Sequence, residues 1–245
     1  MSSKLSFIPY GSKGLIVKFD KPSVSQIEIL SRSIFRDQIA IKLKKNVQDL
    51  LLTSDSLTIF FNEPPSLDSI KEKLLKTYDM SVSKRIDLQY KHWEIPICFE
   101  NDFSLDLFKH FNNDNLKTQD YIRKICELEM IVQFYGFLPG FCYLVGLPKS
   151  MQLERKSEPN LKVPKGSLAI GGSYAGIYPQ NSPGGWHLIG RTPTIFFDPK
   201  RNPNCFASVG DKLSFKKISI DEYNEKLMHN SKTNLPKFTI YNVKD

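Results

Sequence analysis

An α+β fold in two parts is predicted, with a small amino-terminal α+β domain over residues 1–83 and a β-barrel domain over residues 84–245. Three observations predict it. The first eighty or so residues read as β-α-β-β-α, helical and alternating periods following each other in short order. Beyond Glu129 almost everything reads as short strands and turns, the pattern of a closed or nearly closed barrel. Between Phe134 and Pro193 fall ten of the 13 glycines and seven of the 15 prolines, so the backbone bends repeatedly there.

Gly14 to Phe19 is short, rich in β-branched residues and closed by Asp20-Lys21-Pro22, which predicts a strand. A helix follows, capped by Ser23 or Ser25; Ile27, Leu30, Ile34 and Phe35 recur at helical spacing, and the end falls between Ala40 and Asn46. Val47 to Thr53 and Ser56 to Phe61 flank Ser54-Asp55 and predict two strands joined by a tight turn. Asn62-Glu63-Pro64-Pro65 stops the second, and Ser66 caps a helix carrying Leu67, Ile70, Leu74 and Leu75 that fades by Ser81. From Ser83 the character changes. Arg85 to Phe99 reads as one broken strand, followed by amphipathic helices at Ser104 to Phe111 and Thr118 to Glu129. Short strands are expected at Val132 to Tyr135, Phe141 to Val145, Ser167 to Ile170, Gly176 to Tyr178, Trp186 to Thr192, Thr194 to Phe197 and Asp211 to Ile218. A helix at Ile220 to Met228 and a strand at Lys237 to Val243 complete the chain.

Composition narrows the function. A hydrophobic content of 40% in 245 residues permits an ordinary core. No apolar run of spanning length occurs and Met1 to Gly14 reads as no leader, so a cytoplasmic protein with no membrane association is expected. The net charge of +8 is interleaved with acids rather than blocked, which argues against nucleic acid. Within Phe134 to Pro193, however, Lys149, Arg155, Lys156, Lys162, Lys165 and Arg191 meet only Glu154 and Glu158, an excess suited to an anionic ligand or acidic partner. The scattered Cys98, Cys126, Cys142 and Cys205 read as packed thiols, although Cys142 lies in the glycine-rich stretch.

Most familiar motifs fail. There is no phosphate-binding glycine loop, and Gly171-Gly172-Ser173-Tyr174-Ala175 lacks the second glycine of a nucleophile elbow, which makes Ser173 a loop residue. The four histidines are far apart and form no metal-ligand pair. Ser182-Pro183-Gly184-Gly185-Trp186 remains: proline fixes φ, Gly184 is read as taking positive φ, and backbone N–H groups would converge on an anion. The same residues also suit a barrel corner with Trp186 in the core. Arg191 is either a surface ion-pair partner or a bidentate carboxylate or phosphate ligand. His187 is a candidate proton shuttle or an inert strand histidine, and Tyr143 and Tyr178 either stack on a planar ligand or pack. No nucleophile or general base stands out.

Phe134-Tyr-Gly-Phe-Leu-Pro-Gly-Phe-Cys-Tyr143, Val163-Pro-Lys-Gly-Ser-Leu-Ala-Ile170 and Gly176 to Pro193 together resemble the KipI family, which comprises the B-type subunits of 5-oxoprolinase (PxpB) and allophanate hydrolase subunit 1 proteins. His92 to Cys98 and Val209 to Phe215 extend the resemblance. It implies a cyclophilin-like barrel and a homologous partner, the C-type subunit, known also as KipA or allophanate hydrolase subunit 2. A third, A-type subunit joins in the complex that opens 5-oxoproline to glutamate with ATP. The resemblance also leaves two other roles: inhibition of a sensor histidine kinase, or half of a biotin-dependent urea carboxyltransferase. The substrate-binding residues it implies are Pro139, Gly140, Phe141, Tyr143, Arg155, Tyr178, Pro179, Ser182, Gly184, Gly185, Trp186 and Arg191. The chain departs from the family pattern near Ile125, where a histidine is usual, and at Glu154 and Asn160, where a proline and an arginine respectively are usual.

Overall fold

A computed structural model describes residues 5–83, 88–228 and 235–243, and the chain divides into two compact units after Gln89, with residues 242–245 counted in the first. The first unit holds β1 (Ser6–Tyr10), β2 (Gly14–Lys18), α1 (Gln26–Lys42), β3 (Val47–Leu52), β4 (Ser56–Phe61) and α2 (Leu67–Ser83). Its four strands form an antiparallel sheet in the order β1-β2-β4-β3. Alternation along β4 buries Leu57, Ile59 and Phe61, and Phe19 beyond β2 meets Phe35 of α1 and Tyr78 of α2, so one sheet face packs under the helices. Ser25 is the N-cap of α1, by backbone geometry alone. β1 is absent from the sequence reading because Pro9 and its largely exposed side chains mask an edge strand.

The second unit begins with β5 (Gln89–Cys98), α3 (Leu105–His110), α4 (Asn115–Glu127), β6 (Glu129–Tyr135) and β7 (Cys142–Val145). It continues through β8 (Asn160–Val163), β9 (Ser167–Gly171), β10 (Tyr174–Ile177), β11 (Ser182–Gly184), β12 (His187–Arg191), β13 (Lys212–Ile218), α5 (Ile220–Met228) and β14 (Lys237–Asn242). Seven strands in the order β12-β9-β10-β7-β6-β13-β5 close into a barrel where Arg191 of β12 pairs Cys98 of β5. The β5–β13 pair is parallel and the remaining barrel pairs are antiparallel. β14 extends the sheet beyond β5, and β8 with β11 forms a separate ribbon. No helix among the described residues is long and apolar enough to cross a membrane.

Four expectations need correction. The strand expected from Arg85 begins, where described, at Gln89 and runs unbroken through Pro96, which keeps its register opposite Lys216; residues 85–87 lie outside the described residues. α4 starts at Asn115 rather than Thr118 because Asp114 caps it, accepting from the Lys117 N–H at 3.1 Å, and Glu129 belongs to β6. Thr194 to Phe197 forms no strand, and Phe197 makes only an isolated bridge to Cys205. Ser182 to Gly184 is a strand paired with β8, not a turn.

One polar group anchors the barrel interior. Asp211 is 4% exposed and accepts from the Lys91 N–H at 2.9 Å, the Trp93 indole N–H at 2.8 Å and the Ser208 N–H at 2.8 Å. It thus ties β5 to the turn before β13 and holds Trp93 in a core shared with Ile95, Ile97, Leu168, Ile170 and Leu213.

Candidate functional site

Successive strand residues face opposite sides of the sheet, and in this barrel both sides are filled. Cys142, Leu144, Leu168, Ile170, Ala175 and Ile177 point into the barrel core. The alternate residues Tyr143, Ala169, Tyr174 and Tyr178 point outward and join Phe141, Val163 and Trp186 in a second apolar cluster, to which β8 contributes Val163. Its rings meet edge to face: Phe141 lies 5.1 Å from Tyr178 and 5.5 Å from Trp186, and Tyr143 lies 5.7 Å from Trp186. The Arg155 guanidinium stands 6.0 Å over the Trp186 ring, on an exposed stretch before β8.

The glycines here make space more than they make turns. A Cβ on Gly171 would lie 2.5 Å from Trp186 indole atoms, and one on Gly176 would lie 2.8 Å from the Phe141 ring. A Cβ on Gly184 would fall on the Tyr178 hydroxyl. Gly184 has no positive φ, contrary to the turn reading; the strand needs a bare backbone there so that the tyrosine can approach. Gly172, at φ +64°, is the residue that turns the β9–β10 hairpin and places Ser173 in its loop.

Burial, the largest influence, pushes the Tyr178 hydroxyl up to about 12, with Tyr143 adding to the rise and Arg155 opposing it. The Tyr143 hydroxyl is raised in the same way. Both therefore stay protonated donors at neutral pH. Ser182 Oγ is shielded from solvent and has no hydrogen-bond partner among the described residues. A ligand group that completes this hydroxyl would recover a lost hydrogen bond.

The remaining sequence candidates divide. Gly140 turns the β6–β7 loop at φ +82° against Phe197, with exposed Pro139 before it, while Pro179 is buried just after β10. Gly185 accepts the Lys156 N–H at 2.8 Å through its carbonyl. Arg191 does not join the cluster. It stands four residues beyond His187, roughly 13 Å along β12, where its Nε donates to the Lys165 carbonyl at 3.0 Å and its guanidinium lies 5.1 Å from the Phe103 ring. Ile125 is fully buried in the barrel core, so that position supplies packing here.

The structure also assembles a polar group that sequence spacing could not show. Asp106 of α3 accepts from Lys156 Nζ at 2.8 Å and from the Leu188 N–H at 3.0 Å, across 50 and 82 residues of chain. Lys156 Nζ also donates to Asn160 Oδ1 at 3.0 Å. The neighbouring His187 ring lies 6.0 Å from that of His110 and lines an open pocket of about 630 Å³ with Arg155, Lys156, Ser157, Glu158, Pro159 and Asn160. Burial is the largest influence on Asp106 and pushes its carboxyl up. The Lys156 ammonium, the Leu188 N–H and His187 together outweigh it and hold the group below the usual carboxylate range. A depressed folded value means the pair stabilises the fold above the unfolded value of about 3.9 and that this contribution is lost as pH falls through the folded one. The stability gap between wild type and Asp106→Asn should therefore stay level from neutral pH to about pH 5 and narrow below about pH 4, as read by urea unfolding at a series of pH values.

Chains that share this barrel are known. The fold matches Kluyveromyces lactis urea amidolyase with a TM-score of 0.77 over 98% of this chain and 16% of that one, at 16% identity. It matches Kluyveromyces lactis urea carboxylase with a TM-score of 0.76 over 98% of this chain and 24% of that one, also at 16% identity. At that identity the likeness is one of fold alone. More particularly, the chain belongs to the family described as carboxyltransferase domain, subdomain C and D, whose model matches residues 5–207. Among its relatives is the B-type subunit of 5-oxoprolinase from Bacillus subtilis, 36% identical over 63% of this chain and 62% of that protein. Its namesake from Escherichia coli O157:H7 is 34% identical over 69% and 78% of the two chains. A third of the same name, from Haemophilus influenzae, is 27% identical over 86% and 97%.

Proposed function

We propose that this chain is the B-type subunit of an ATP-dependent 5-oxoprolinase, inactive alone and completed by a homologous C-type partner, with a third, A-type component in the full complex. The observation that carries the reading is the alignment with the Haemophilus influenzae B-type 5-oxoprolinase subunit over 97% of that protein's length. The outer aromatic cluster supports it: Arg155, held beside Trp186 at the edge of the cluster, provides an exposed cation for the carboxylate of a small substrate. Ser182 Oγ and the protonated Tyr143 and Tyr178 hydroxyls provide neutral hydrogen-bonding groups. Arg191, held against the Lys165 carbonyl and Phe103, fixes the barrel corner. Among the described residues no helix begins behind a glycine-rich loop, and ATP use is assigned to the complex.

The test is co-expression with the cognate partner subunits, measuring ATP-dependent loss of 5-oxoproline. Arg155→Ala is expected to raise KM about tenfold or more, and Arg191→Ala to lower thermal stability with KM nearly unchanged. The reverse assignment would follow from the opposite pattern. A second reading, half of a biotin-dependent carboxyltransferase, draws on the family model and the urea carboxylase fold. It requires carboxyl transfer from carboxybiotin by the assembled complex, in place of 5-oxoproline loss.

A further inference from the structure

We propose that Asp106 and Lys156 form a positioning clamp that holds His187 as the proton-transfer group of the pocket beside Arg155. The proposal rests on the 5-oxoprolinase reading only for the identity of the reaction. The clamp itself is on view: Asp106 Oδ2 accepts from the N–H of Leu188, the residue next to His187, while Asp106 Oδ1 holds Lys156 Nζ. The Lys156 backbone N–H in turn donates to the Gly185 carbonyl, two residues before His187. The entry and exit of the histidine are thus both fixed, from α3 on one side and from the segment before β8 on the other.

Every charged neighbour of the ring has a defined sign. Asp106 favours the protonated ring, Lys156 and His110 oppose it, the Glu154 backbone carbonyl favours it as a hydrogen-bond acceptor, and burial is the largest influence, against protonation. Arg155 and Glu158 line the same pocket. At neutral pH the ring is a neutral base with the anionic Asp106 ready to stabilise its conjugate acid. Its lone pair takes a proton from a polarised O–H or N–H group of the ligand, which leaves a cationic ring beside Asp106 and an anionic ligand atom beside the Arg155 and Lys156 charges. The Asp106–Lys156 pair, at 13% and 20% side-chain exposure, is itself largely sheltered from solvent, which limits the screening between its two charges.

The two clamp residues act on the ring with opposite signs, which makes the test sharp. Histidine side-chain NMR titration of the chain itself, needing no turnover, should show the His187 midpoint moving to lower pH in Asp106→Asn and to higher pH in Lys156→Met, with Asp106→Glu close to wild type. Well-dispersed amide spectra check that each variant is folded. In the assembled complex, His187→Gln should lower kcat about 100-fold or more with KM little changed, and the acid limb of the pH profile should follow the NMR midpoint in each clamp variant. Opposite NMR shifts support the clamp even if the complex does not open 5-oxoproline, in which case only the functional reading fails. Shifts of the same sign, absent shifts, or wild-type turnover by the His187→Gln complex would overturn the proposal.

Discussion

Asp211→Ala is expected to destabilise the barrel domain by roughly 3–5 kcal/mol, a large loss for a single polar position. Three donors point at this carboxylate, two from backbone N–H groups and one from the Trp93 indole, and the residue is almost wholly buried. Alanine leaves them without an acceptor in a place water reaches poorly, and the cost is the desolvation of each orphaned group. Asn is not expected to rescue it fully. Its amide nitrogen is itself a donor, and whichever way it is turned it faces at least one of the three donors. Chemical denaturation followed by tryptophan fluorescence measures the effect; an Asp211→Ala change below about 1 kcal/mol would show that the three hydrogen bonds are replaced by water.

The second large effect is expected at Gly171→Ala. The added methyl carbon would lie 2.5 Å from both Cδ1 and Nε1 of Trp186 and 2.6 Å from Cδ2, so three ring atoms block it at once and the indole must shift. Overpacking of this kind costs about 1–3 kcal/mol, but the functional loss should be larger. Once the indole is displaced, Phe141 and Tyr143 lose their edge contacts and Arg155 loses the ring over which it stands. A changed near-UV circular dichroism spectrum should accompany a rise in KM in the assembled complex. An unchanged spectrum would mean that the outer cluster yields more easily than its close packing implies.

Gly171 also shows what the sequence can convey and what it cannot. Its glycine-rich surroundings correctly mark a region of repeated turns and close approach, because bare backbone at high density has few other uses. Which of the two reasons applies at each glycine depends on neighbours far along the chain. Gly184 reads as a turn residue from Pro183 before it, yet Tyr178 requires its bareness, and the residue lies in a strand. The long helices and the periodic strands of the first unit are legible because their pattern is local, as Phe35 and Ile59 illustrate. β8 is hidden because only its last residue, Val163, is buried, so no alternation survives.

For the site the boundary falls in a similar place. Trp186, Tyr178, Tyr143 and Phe141 converge as aromatic residues interleaved with glycine suggest. Sequence proximity groups Arg191 with them, but a strand carries a residue about 3.3 Å further at each step, and four steps bring it to Phe103. Asp106 has no sequence signal, since on α3 it reads as one more solvated acid. Only the closed barrel brings that helix against β12, where the Leu188 N–H and Lys156 give the carboxylate its partners.

Completion of a 5-oxoprolinase by this chain, together with a homologous partner, is tested most directly on the purified complex. The measurement is loss of 5-oxoproline coupled to ATP hydrolysis by the cognate partner subunits, with and without this chain. Coupled turnover is expected only when the chain is present, with a much higher KM for the Arg155→Ala complex at equal assembly. A fully assembled complex that leaves 5-oxoproline untouched, or partner subunits that open it equally well without this chain, would contradict that role.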